Sequence, residues 1–316
     1  MNKVNLCWVL SDGLSGHEIQ SLSIAHEISH TIKLHAFTLK PLWKSMTPRR
    51  LPFFNQAIQW QTPQPDFESR PNIIVTCGKT AAAVGKHCAE KIAAQHIQIL
   101  NPKDNLKNYD LLLIPEHDQR NGSNVITTQG SLHNFNSHSL QRHQRQSHDM
   151  IDTLSRPLLA VFLGNPGKAF FTDFESHCQQ LVTTFPKHSI FVCGSRRIPT
   201  ESQHQIRILA QTHGFTFWLD QQDGDNPYQK LLATADYFVI SGDSINMVSE
   251  ACATDKPVSV IACDYVSEKH RRFVQSLKER VVTFGHAADE KYQPLQTMQN
   301  TLQHPLMRAL IKKAAN

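Results

Sequence analysis

Three turns of the sequence combine glycine with polar side chains, each after an apolar run and before a helical pattern. The first turn contains Asp12, Gly13, Gly16, His17 and Gln20. Two glycines three residues apart permit a tight turn, and the helix that follows offers backbone N–H groups to an anion. His17 stands at the junction of turn and helix, where an imidazole that titrates near neutral pH suits a general base. A capping or surface histidine is the structural alternative.

The second turn follows an apolar run that ends at Leu163, and it contains Gly164, Gly167 and Lys168. Its backbone amides suit a diphosphate, with the ammonium group of Lys168 as a nearby positive charge. Neither of these first two turns has the Walker A spacing or the G-x-G-x-x-G dinucleotide fingerprint, so we expect no separate cofactor. A Pro-Gly turn that serves only the backbone geometry is the alternative.

The third turn is the most specific of the three. The apolar run before it ends at four small or polar residues, which are Ser241, Gly242, Asp243 and Ser244. A helical pattern follows, for which such side chains are good N-caps. Asp243, Asn246 and Glu250 stand at i, i+3 and i+7 and therefore share one face of that helix. A ribose with two hydroxyl groups is a natural partner for Glu250. A solvent-facing polar stripe is the alternative.

A further polar segment follows the apolar run that ends at Pro115. Glu116, His117 and Asp118 come directly after it, so these residues are expected to border a ligand site. His117 is a second candidate base, which a neighbouring carboxylate would orient. A polar turn without function is the alternative.

Another basic segment, Ser195-Arg196-Arg197, follows an apolar run in the second half of the chain. A guanidinium group there suits a diphosphate, because its planar donors match phosphate oxygens. We expect only one of the two arginines to take this role, with Ser195 and Arg196 as the candidates, and the other to be an ordinary surface charge.

The apolar runs before these turns alternate with helical patterns along the whole chain. Most runs are continuous, as is typical of parallel strands covered on both faces. The predicted strands are 6–11, 36–39, 73–77, 97–100, 111–115, 125–128, 158–164, 189–194, 215–219, 237–241, 258–263 and 281–284. The predicted helices are about 17–31, 79–91, 171–186, 201–213, 243–254, 267–279 and 295–313. This alternation indicates βαβ units and doubly wound sheets, in which ligands bind beyond the carboxyl ends of the strands.

A boundary is visible between residues 134 and 156, which are rich in His, Gln, Ser and Arg. Pro157 then precedes a new, strongly apolar strand. We therefore predict an α/β protein of two Rossmann-like domains that face a cleft, residues 1–152 and 153–316, with a helix-containing linker at the boundary.

The composition limits the classes of partner. Hydrophobic residues make up 40% of the 316 residues, and the formal net charge is +5. The Lys and Arg clusters are small, so a nucleic-acid partner is not expected, whereas a mild positive charge suits an anionic ligand or a membrane surface. Arg49-Arg50 and Lys269–Arg272 are the clusters that such a surface would contact.

The cysteines and the hydropathy pattern suggest a compartment. Seven cysteines occur without a C-x-x-C pair, which argues against a zinc site and for buried thiols in a reducing environment. No apolar run approaches the roughly 20 residues of a membrane-spanning helix. We expect a cytoplasmic protein without a metal site, at most peripheral on the inner face of a membrane.

Several motifs recur together in one known family. They are D-G-x-S-G-H-E-x-Q at 12–20, P-E-H-D at 115–118, N-V-I-T-T-Q-G-S-L-H at 124–133, S-R-R-I-P at 195–199, D-N-P-Y at 225–228 and S-G-D-S-I-N-M-V-S-E-A-C-A-T-D-K-P-V at 241–258. From Trp8 to about Tyr292 the chain thus resembles the mitochondrial-fission (elongated-mitochondria) family, whose bacterial members are labelled glycosyltransferases or nucleotide-sugar epimerases.

A more distant likeness is to the GT-B glycosyltransferase that adds N-acetylglucosamine to the lipid-linked peptidoglycan intermediate. The likeness rests on Gly13, Gly16 and His17 after the first strand, and on Ser241, Gly242 and Glu250 in the second half. It implies that the second domain holds a nucleotide-sugar through Glu250, that the first receives the acceptor, and that the last helix packs back on the first domain.

Together these features predict metal-independent, inverting transfer of a sugar from a nucleotide-sugar to a hydroxyl group of a glycan or lipid-linked acceptor. His17 is the first candidate base and His117 the second. The helix N-termini after Gly167 and Gly242 would stabilise the diphosphate, aided by Lys168 or Arg196. Two alternatives stay open: a non-catalytic GT-B-like scaffold that binds a partner or a membrane surface, and a nucleotide-sugar epimerase.

Overall fold

The structure is a computed structural model that describes residues 3–282, Phe284 and residues 291–315. Its contacts divide the chain into two compact units. Unit 1 comprises Met1–Asn134 with Thr297–Asn316, and unit 2 comprises Phe135–Gln296. Each unit is built around its own parallel sheet.

Unit 1 contains a seven-stranded sheet within the described residues. Its strands are β1 (Val4–Ser11), β2 (Ser29–Leu39), β3 (Ile58–Trp60), β4 (Ile73–Cys77), β5 (Gln95–Ile99), β6 (Leu111–Pro115) and β7 (Val125–Thr128). The spatial order is β3-β2-β1-β4-β5-β6-β7, and β3 is antiparallel to β2 while the other pairs are parallel. This is the doubly wound order 3-2-1-4-5-6 with one strand added. The helices between the strands are α1 (Ser15–Ile28), α2 (Pro41–Met46), α3 (Phe54–Ala57) and α4 (Gly78–Ile92).

Both faces of this sheet are covered. Successive residues of a strand point to opposite faces, so Cys7 and Val9 of β1 pack with α1, while Trp8 and Leu10 pack with α4. The carboxyl ends of β1 and β4 therefore lead into helices on opposite faces of the sheet, which is where a doubly wound fold presents its ligand-binding turns.

Unit 2 contains a six-stranded, wholly parallel sheet within the described residues. Its helices are α5 (Ser137–Arg145), α6 (Asp149–Asp152), α7 (Lys168–Thr172), α8 (Phe174–Thr184), α9 (Thr200–Thr212), α10 (Tyr228–Thr234), α11 (Ile245–Cys252) and α12 (Glu268–Ser276). Its strands are β8 (Leu158–Leu163), β9 (Ser189–Gly194), β10 (Thr216–Trp218), β11 (Tyr237–Ser241), β12 (Val258–Ile261) and β13 (Val281–Val282). The order β10-β9-β8-β11-β12-β13 again follows the doubly wound pattern.

The C-terminal residues belong to unit 1. They form α13 (Thr297–Gln303) and α14 (Pro305–Ala315), where one continuous helix over 295–313 was predicted. Proline favours the first turn of a new helix, which accounts for the break before Pro305. Met307 and Ile311 join the core beside α1, and the side-chain amide of Asn72 donates to the carbonyl of Ala314 at 2.8 Å.

The compact units divide at residue 134 rather than at the predicted 152. The segment expected to be a linker forms α5 and α6, and its apolar side chains Phe135, Leu140 and Ile151 pack into the core of unit 2. Of the predicted strand 281–284, Val281 and Val282 pair with β12, and Thr283 lies outside the described residues. The predicted cleft between the domains stays a prediction.

Two expectations about composition can be compared with the structure. All seven cysteines are free thiols, and six of them are buried. In the described ranges, no helix combines the length and the apolar character that a membrane crossing needs.

Candidate functional site

In unit 1 the turn after β1 holds an imidazole beside a carboxylate. Nδ1 of His17 lies 3.2 Å from both carboxylate oxygens of Asp12. Gly13 has φ +80°, a left-handed conformation that glycine adopts without strain, and Asp12 also accepts the backbone N–H of Leu14 at 3.3 Å. The turn thereby fixes the Asp12 carboxylate, and the carboxylate orients the His17 ring.

Gly78, at the start of α4, completes this arrangement. It has φ +80°, and a Cβ atom placed on it would lie 2.5 Å from Cε1 of His17. The imidazole therefore rests against the backbone of residue 78, where any side chain would be strained and would displace the ring. The His17 side chain stays 26% exposed, and no residue in the described part of the chain hydrogen-bonds to its Nε2. No role for Gly78 was predicted from the sequence, although a glycine directly after a strand is typical of a ligand-binding turn.

The remaining residues of the first turn tie it to the fold. The buried side chain of Gln20 donates to the carbonyl of Gly16 at 3.3 Å and accepts the N–H of Leu132 at 3.4 Å. The Ser11 hydroxyl donates to Glu18 at 2.6 Å. These bonds connect α1 to the ends of β1 and of the segment after β7, so Gln20 serves the shape of the predicted acceptor-side loop.

The second candidate base lies in a different environment. Glu116 is exposed at the start of a short 3-10 turn after β6. The side chain of His117 is only 1% exposed, and its Nε2 lies 3.9 Å from Oδ1 of Asp118. His117 is therefore an interior residue of unit 1, whereas His17 presents its ring at the surface.

In unit 2 the turns after β8 and β11 are joined by hydrogen bonds. The Gly164 N–H donates to Oγ of Ser241 at 2.7 Å, and the Asn165 N–H donates to Oδ2 of Asp243 at 2.8 Å. The Ser241 hydroxyl donates to Oδ1 of Asp243 at 2.7 Å. A side chain on Gly164 would collide with the Asp243 carboxylate. Asp243 therefore holds the two turns together, a different task from the predicted contact with a ligand.

The first turn of α11 is left without a side-chain cap. Ser244 is the N-cap residue, and its side chain does not make the predicted capping hydrogen bond. The Asp243 carboxylate, the other predicted cap, accepts instead from the turn after β8. The first backbone N–H groups of an uncapped helix are free to bind an anion. By contrast α7, which begins at the exposed Lys168 after Gly167 (φ +115°), has only five residues, so its dipole is small.

Two basic side chains from distant segments reach the same turns. Nη2 of Arg197 lies 3.0 Å from Oδ2 of Asp243, whereas the sequence favoured Arg196. His270, in the first turn of α12, is bonded through Nδ1 to Oγ of Ser267 at 2.8 Å. The pKa of His270 lies below its ordinary value, because burial lowers it and outweighs the Asp243 carboxylate, which raises it. From the sequence, His270 was predicted only as part of the basic surface cluster Lys269–Arg272.

Glu250 lies in the interior of unit 2, where it is 6% exposed. The hydroxyl of Tyr228 donates to Oε2 of Glu250, and the Tyr228 ring lies 4.7 Å from that of Phe162 on β8. Burial raises the pKa of the Glu250 carboxyl group to about 7, against the hydrogen bond from Tyr228, which lowers it. Tyr228 is the last residue of the D-N-P-Y motif, to which sequence reasoning gave no role. Asn246, one turn before Glu250, is half-buried.

One acidic pair, Asp223 and Asp225, has the D-x-D spacing of a metal-binding motif, so it is relevant to the expectation of a site without a metal ion. Asp223 forms an ion pair with Arg207 and accepts the N–H of Leu219 at 2.8 Å. Its carboxylate is thus engaged in the turn after β10. Among the described residues, no group of three or more His, Cys, Asp or Glu side chains is arranged to hold a metal ion.

The two doubly wound units give the chain a GT-B-like fold, which solved structures share. MurG of Acinetobacter baumannii superposes with a TM-score of 0.50 at 12% identity, over 98% of this chain and 94% of that one. The UDP-GlcNAc 2-epimerase of Neisseria meningitidis, bound to UDP-GlcNAc, gives a TM-score of 0.52 at 12% identity, over 98% and 94%. The MnaA–UDP structure of S. aureus gives 0.53 at 10% identity, over 100% and 92%. At these identities the likeness shows the fold alone.

The family described as Mitochondrial fission ELM1 matches residues 15–303, so the chain belongs to that family. Its relatives include the Mitochondrial fission protein ELM1 of Arabidopsis thaliana, 26% identical over an alignment of 245 positions that covers 67% of this chain and 56% of that protein. The chain thus spans little more than half the length of this relative. The uncharacterized protein RP120 of Rickettsia prowazekii is 24% identical over an alignment of 323 positions, gaps included, that covers 87% of this chain and 88% of that protein.

Proposed function

We propose that this protein is a metal-independent glycosyltransferase of the GT-B type, which transfers a sugar from a nucleotide-sugar to a hydroxyl group of a glycan or lipid-linked acceptor. The observation that carries the proposal is the buried Glu250, about one and a half turns along α11 from an uncapped helix N-terminus. One helix of unit 2 thus offers an acceptor for ribose hydroxyls and donors for a diphosphate. The fold neighbours that were solved with UDP and UDP-GlcNAc support this reading of the fold.

The donor is proposed to bind unit 2. Tyr228 occupies Oε2 of Glu250, so Oε1 is the oxygen that would accept from a ribose hydroxyl. The diphosphate would lie at the uncapped first turn of α11, where Arg197 supplies positive charge. The Gly164–Lys168 turn, which Asp243 holds in place, would supply further backbone amides.

His17 is proposed as the general base, acting through Nε2 on the acceptor hydroxyl. Removal of that proton accompanies attack of the oxygen on the anomeric carbon, and the nucleoside diphosphate leaves with the bonding electron pair. The Asp12 carboxylate at Nδ1 orients the ring and stabilises the imidazolium ion, as a carboxylate does in hydrolase triads. A positioned base of this kind contributes roughly 10²–10⁴-fold to the rate.

Ligand-dependent thermal stability tests the proposal most directly. The full chain is titrated with UDP, GDP, ADP, their sugar conjugates, NAD and NADP. A ligand that binds only the native state stabilises by RT ln(1 + [L]/Kd), about 2.7 kcal/mol at a hundredfold excess over Kd. We expect stabilisation by one class of nucleoside diphosphate, and a weaker effect in Glu250→Ala. Stabilisation by NAD alone, or by none of these ligands, would contradict a nucleotide-sugar site.

Two other functions have specific support. Fold neighbours include UDP-GlcNAc 2-epimerases, so an epimerase is the second candidate; conversion of a nucleotide-sugar to its epimer without an acceptor would favour it. The family name points to a role in fission, so a non-catalytic scaffold is the third. Nucleotide binding without turnover over a panel of donors and acceptors would favour that scaffold.

A further inference from the structure

The segment between β2 and β3 of unit 1 is basic without compensation from its own acids. Residues 40–57, between the two strands, contain no Asp or Glu and four Lys or Arg residues. Arg50 is neutralised by a bidentate ion pair with Glu90, with N–O distances of 2.6 and 2.7 Å. Lys40, Lys44 and Arg49 are exposed, so this part of the surface presents positive charge.

The same segment exposes large apolar side chains. None of the residues of α2 is buried, and Leu42 and Met46, one turn apart, are 58% and 38% exposed. Phe53 is 73% exposed and has φ +60°, a conformation that a bulky residue rarely adopts. The indole N–H of Trp43 donates to the carbonyl of Pro52 at 3.1 Å, which joins the two ends of the segment.

A pocket of about 440 Å³ lies beside this segment, lined by residues 45–49 and 103–105. Arg49 and Lys103 are the basic side chains of its lining. The carboxylate in the lining, that of Asp104, is paired with Lys86 at 2.7 Å and accepts from Asn108 at 3.1 Å. The pocket therefore has a net positive lining, which suits a phosphate group.

We propose that residues 40–53 and this pocket form a docking surface for a bilayer that contains anionic phospholipid. The pocket takes the phosphate of a lipid headgroup, and Leu42, Met46 and Phe53 enter the boundary between headgroups and acyl chains. Exposed apolar side chains beside uncompensated Lys and Arg are the pattern of an interfacial segment, and each such cation is attracted by an anionic leaflet. The segment has no acidic side chain to repel that leaflet. An acidic protein partner would account for the positive charges, but it would not account for the large exposure of the Phe53 side chain.

This surface differs from the basic clusters taken from the sequence. Arg50 is engaged by Glu90, and in the second cluster Arg271 is paired with Glu268 at 2.9 Å. Arg49 is the member of the first cluster that stays available, and Lys103 joins it from the loop after β5. The proposal does not depend on glycosyl transfer, because it concerns only where unit 1 lies on a membrane.

Vesicle sedimentation of the full chain tests the proposal. Vesicles of phosphatidylcholine with about one third phosphatidylglycerol are compared with pure phosphatidylcholine. Each juxtamembrane cation is worth about fivefold in binding, so Arg49→Glu/Lys103→Glu should lower binding to the anionic vesicles by at least about 25-fold. The control Lys187→Glu/Lys278→Glu makes the same change in net charge at exposed positions of unit 2 and should bind like the wild type.

A second variant tests the apolar contribution. Leu42→Ser/Phe53→Ser should lower vesicle binding at high salt, where electrostatic attraction is screened, and unchanged melting curves would show that each variant is folded. Equal binding of the wild type to neutral and anionic vesicles, no binding to either, or equal loss in the unit 2 control would overturn the proposal. If the wild type binds no vesicle while nucleotide binding is intact, the docking surface fails and the proposed transferase does not.

Discussion

Replacement of Glu250 by glutamine removes a buried titration from unit 2 and keeps an oxygen for the Tyr228 hydroxyl. In the wild type, burial raises the pKa of this carboxyl group from its ordinary 4.5 to about 7. The folded state then holds the proton more tightly than the unfolded chain does. The protonated carboxyl group therefore contributes its full stability below about pH 4.5, and that contribution is lost as the pH rises through 7.

The magnitude follows from the size of the shift. One pKa unit corresponds to about 1.4 kcal/mol, so a rise from 4.5 to about 7 is worth about 3 kcal/mol in total. Most of this, about 2–3 kcal/mol, falls between pH 5 and pH 8 by the linkage relation. The glutamine variant has no such term. Relative to Glu250→Gln, we expect the wild type to lose about 2–3 kcal/mol of unfolding free energy over this interval.

Urea denaturation at pH 5, 6, 7 and 8 measures this difference, with fluorescence and circular dichroism as parallel probes. Because both proteins share every other titrating group, the difference between them isolates residue 250. Glu201→Gln, on the exposed first turn of α9, is the matched control and should run parallel to the wild type. If the curves of wild type and Glu250→Gln also run parallel from pH 5 to pH 8, the buried, proton-binding carboxyl group is refuted.

Three further predictions concern the proposed reaction. His17→Gln should lower kcat by roughly 10²–10⁴-fold with an unchanged melting curve; full activity would exclude His17 as the base. Gly78→Ala should lower kcat and cost about 1–2 kcal/mol of stability, because it forces a side chain into a left-handed backbone and against the His17 ring; urea titration and steady-state rates measure both effects. Arg197→Ala should weaken UDP binding about tenfold and leave uridine binding unchanged, as calorimetry can show, while Arg196→Ala should change neither; equal effects of the two variants would place the diphosphate elsewhere.

Much of the fold could be predicted because the central strands are continuous apolar runs. β4, β6 and β7 have the bounds expected from sequence. The first half of β2 was not predicted, since its residues from Ser29 to His35 are mostly polar and partly exposed. They pair with β1 at one edge only. A strand segment that is only partly covered does not have the continuous apolar run that is typical of buried parallel strands. The three residues of β3 are too short to give a periodic signal.

The site was predictable where its contacts are local. Asp12 and His17 are five residues apart in one turn, and the turn itself signalled them. The pair of Tyr228 and Glu250 was not predictable, because the two residues meet only after α10 and α11 have packed. Neither position shows in advance which polar groups will share an interior. Whether Arg196 or Arg197 reaches the Asp243 carboxylate likewise depends on the direction in which the turn after β9 points its side chains.

Unit 1 is assembled from both ends of the chain, which has a consequence for the order of synthesis. Met307, Leu310 and Ile311 complete the core under β1 and α1, yet a ribosome makes them only after all of residues 135–296. Domains generally fold as units while the chain emerges, N-terminal first. Here residues 3–134 must wait with an apolar face uncovered while unit 2, continuous in sequence, has all its parts. Unit 2 is therefore expected to finish folding before unit 1, although it is synthesised later. Until the C-terminal helices emerge, a chaperone could bind the uncovered apolar surface of residues 3–134.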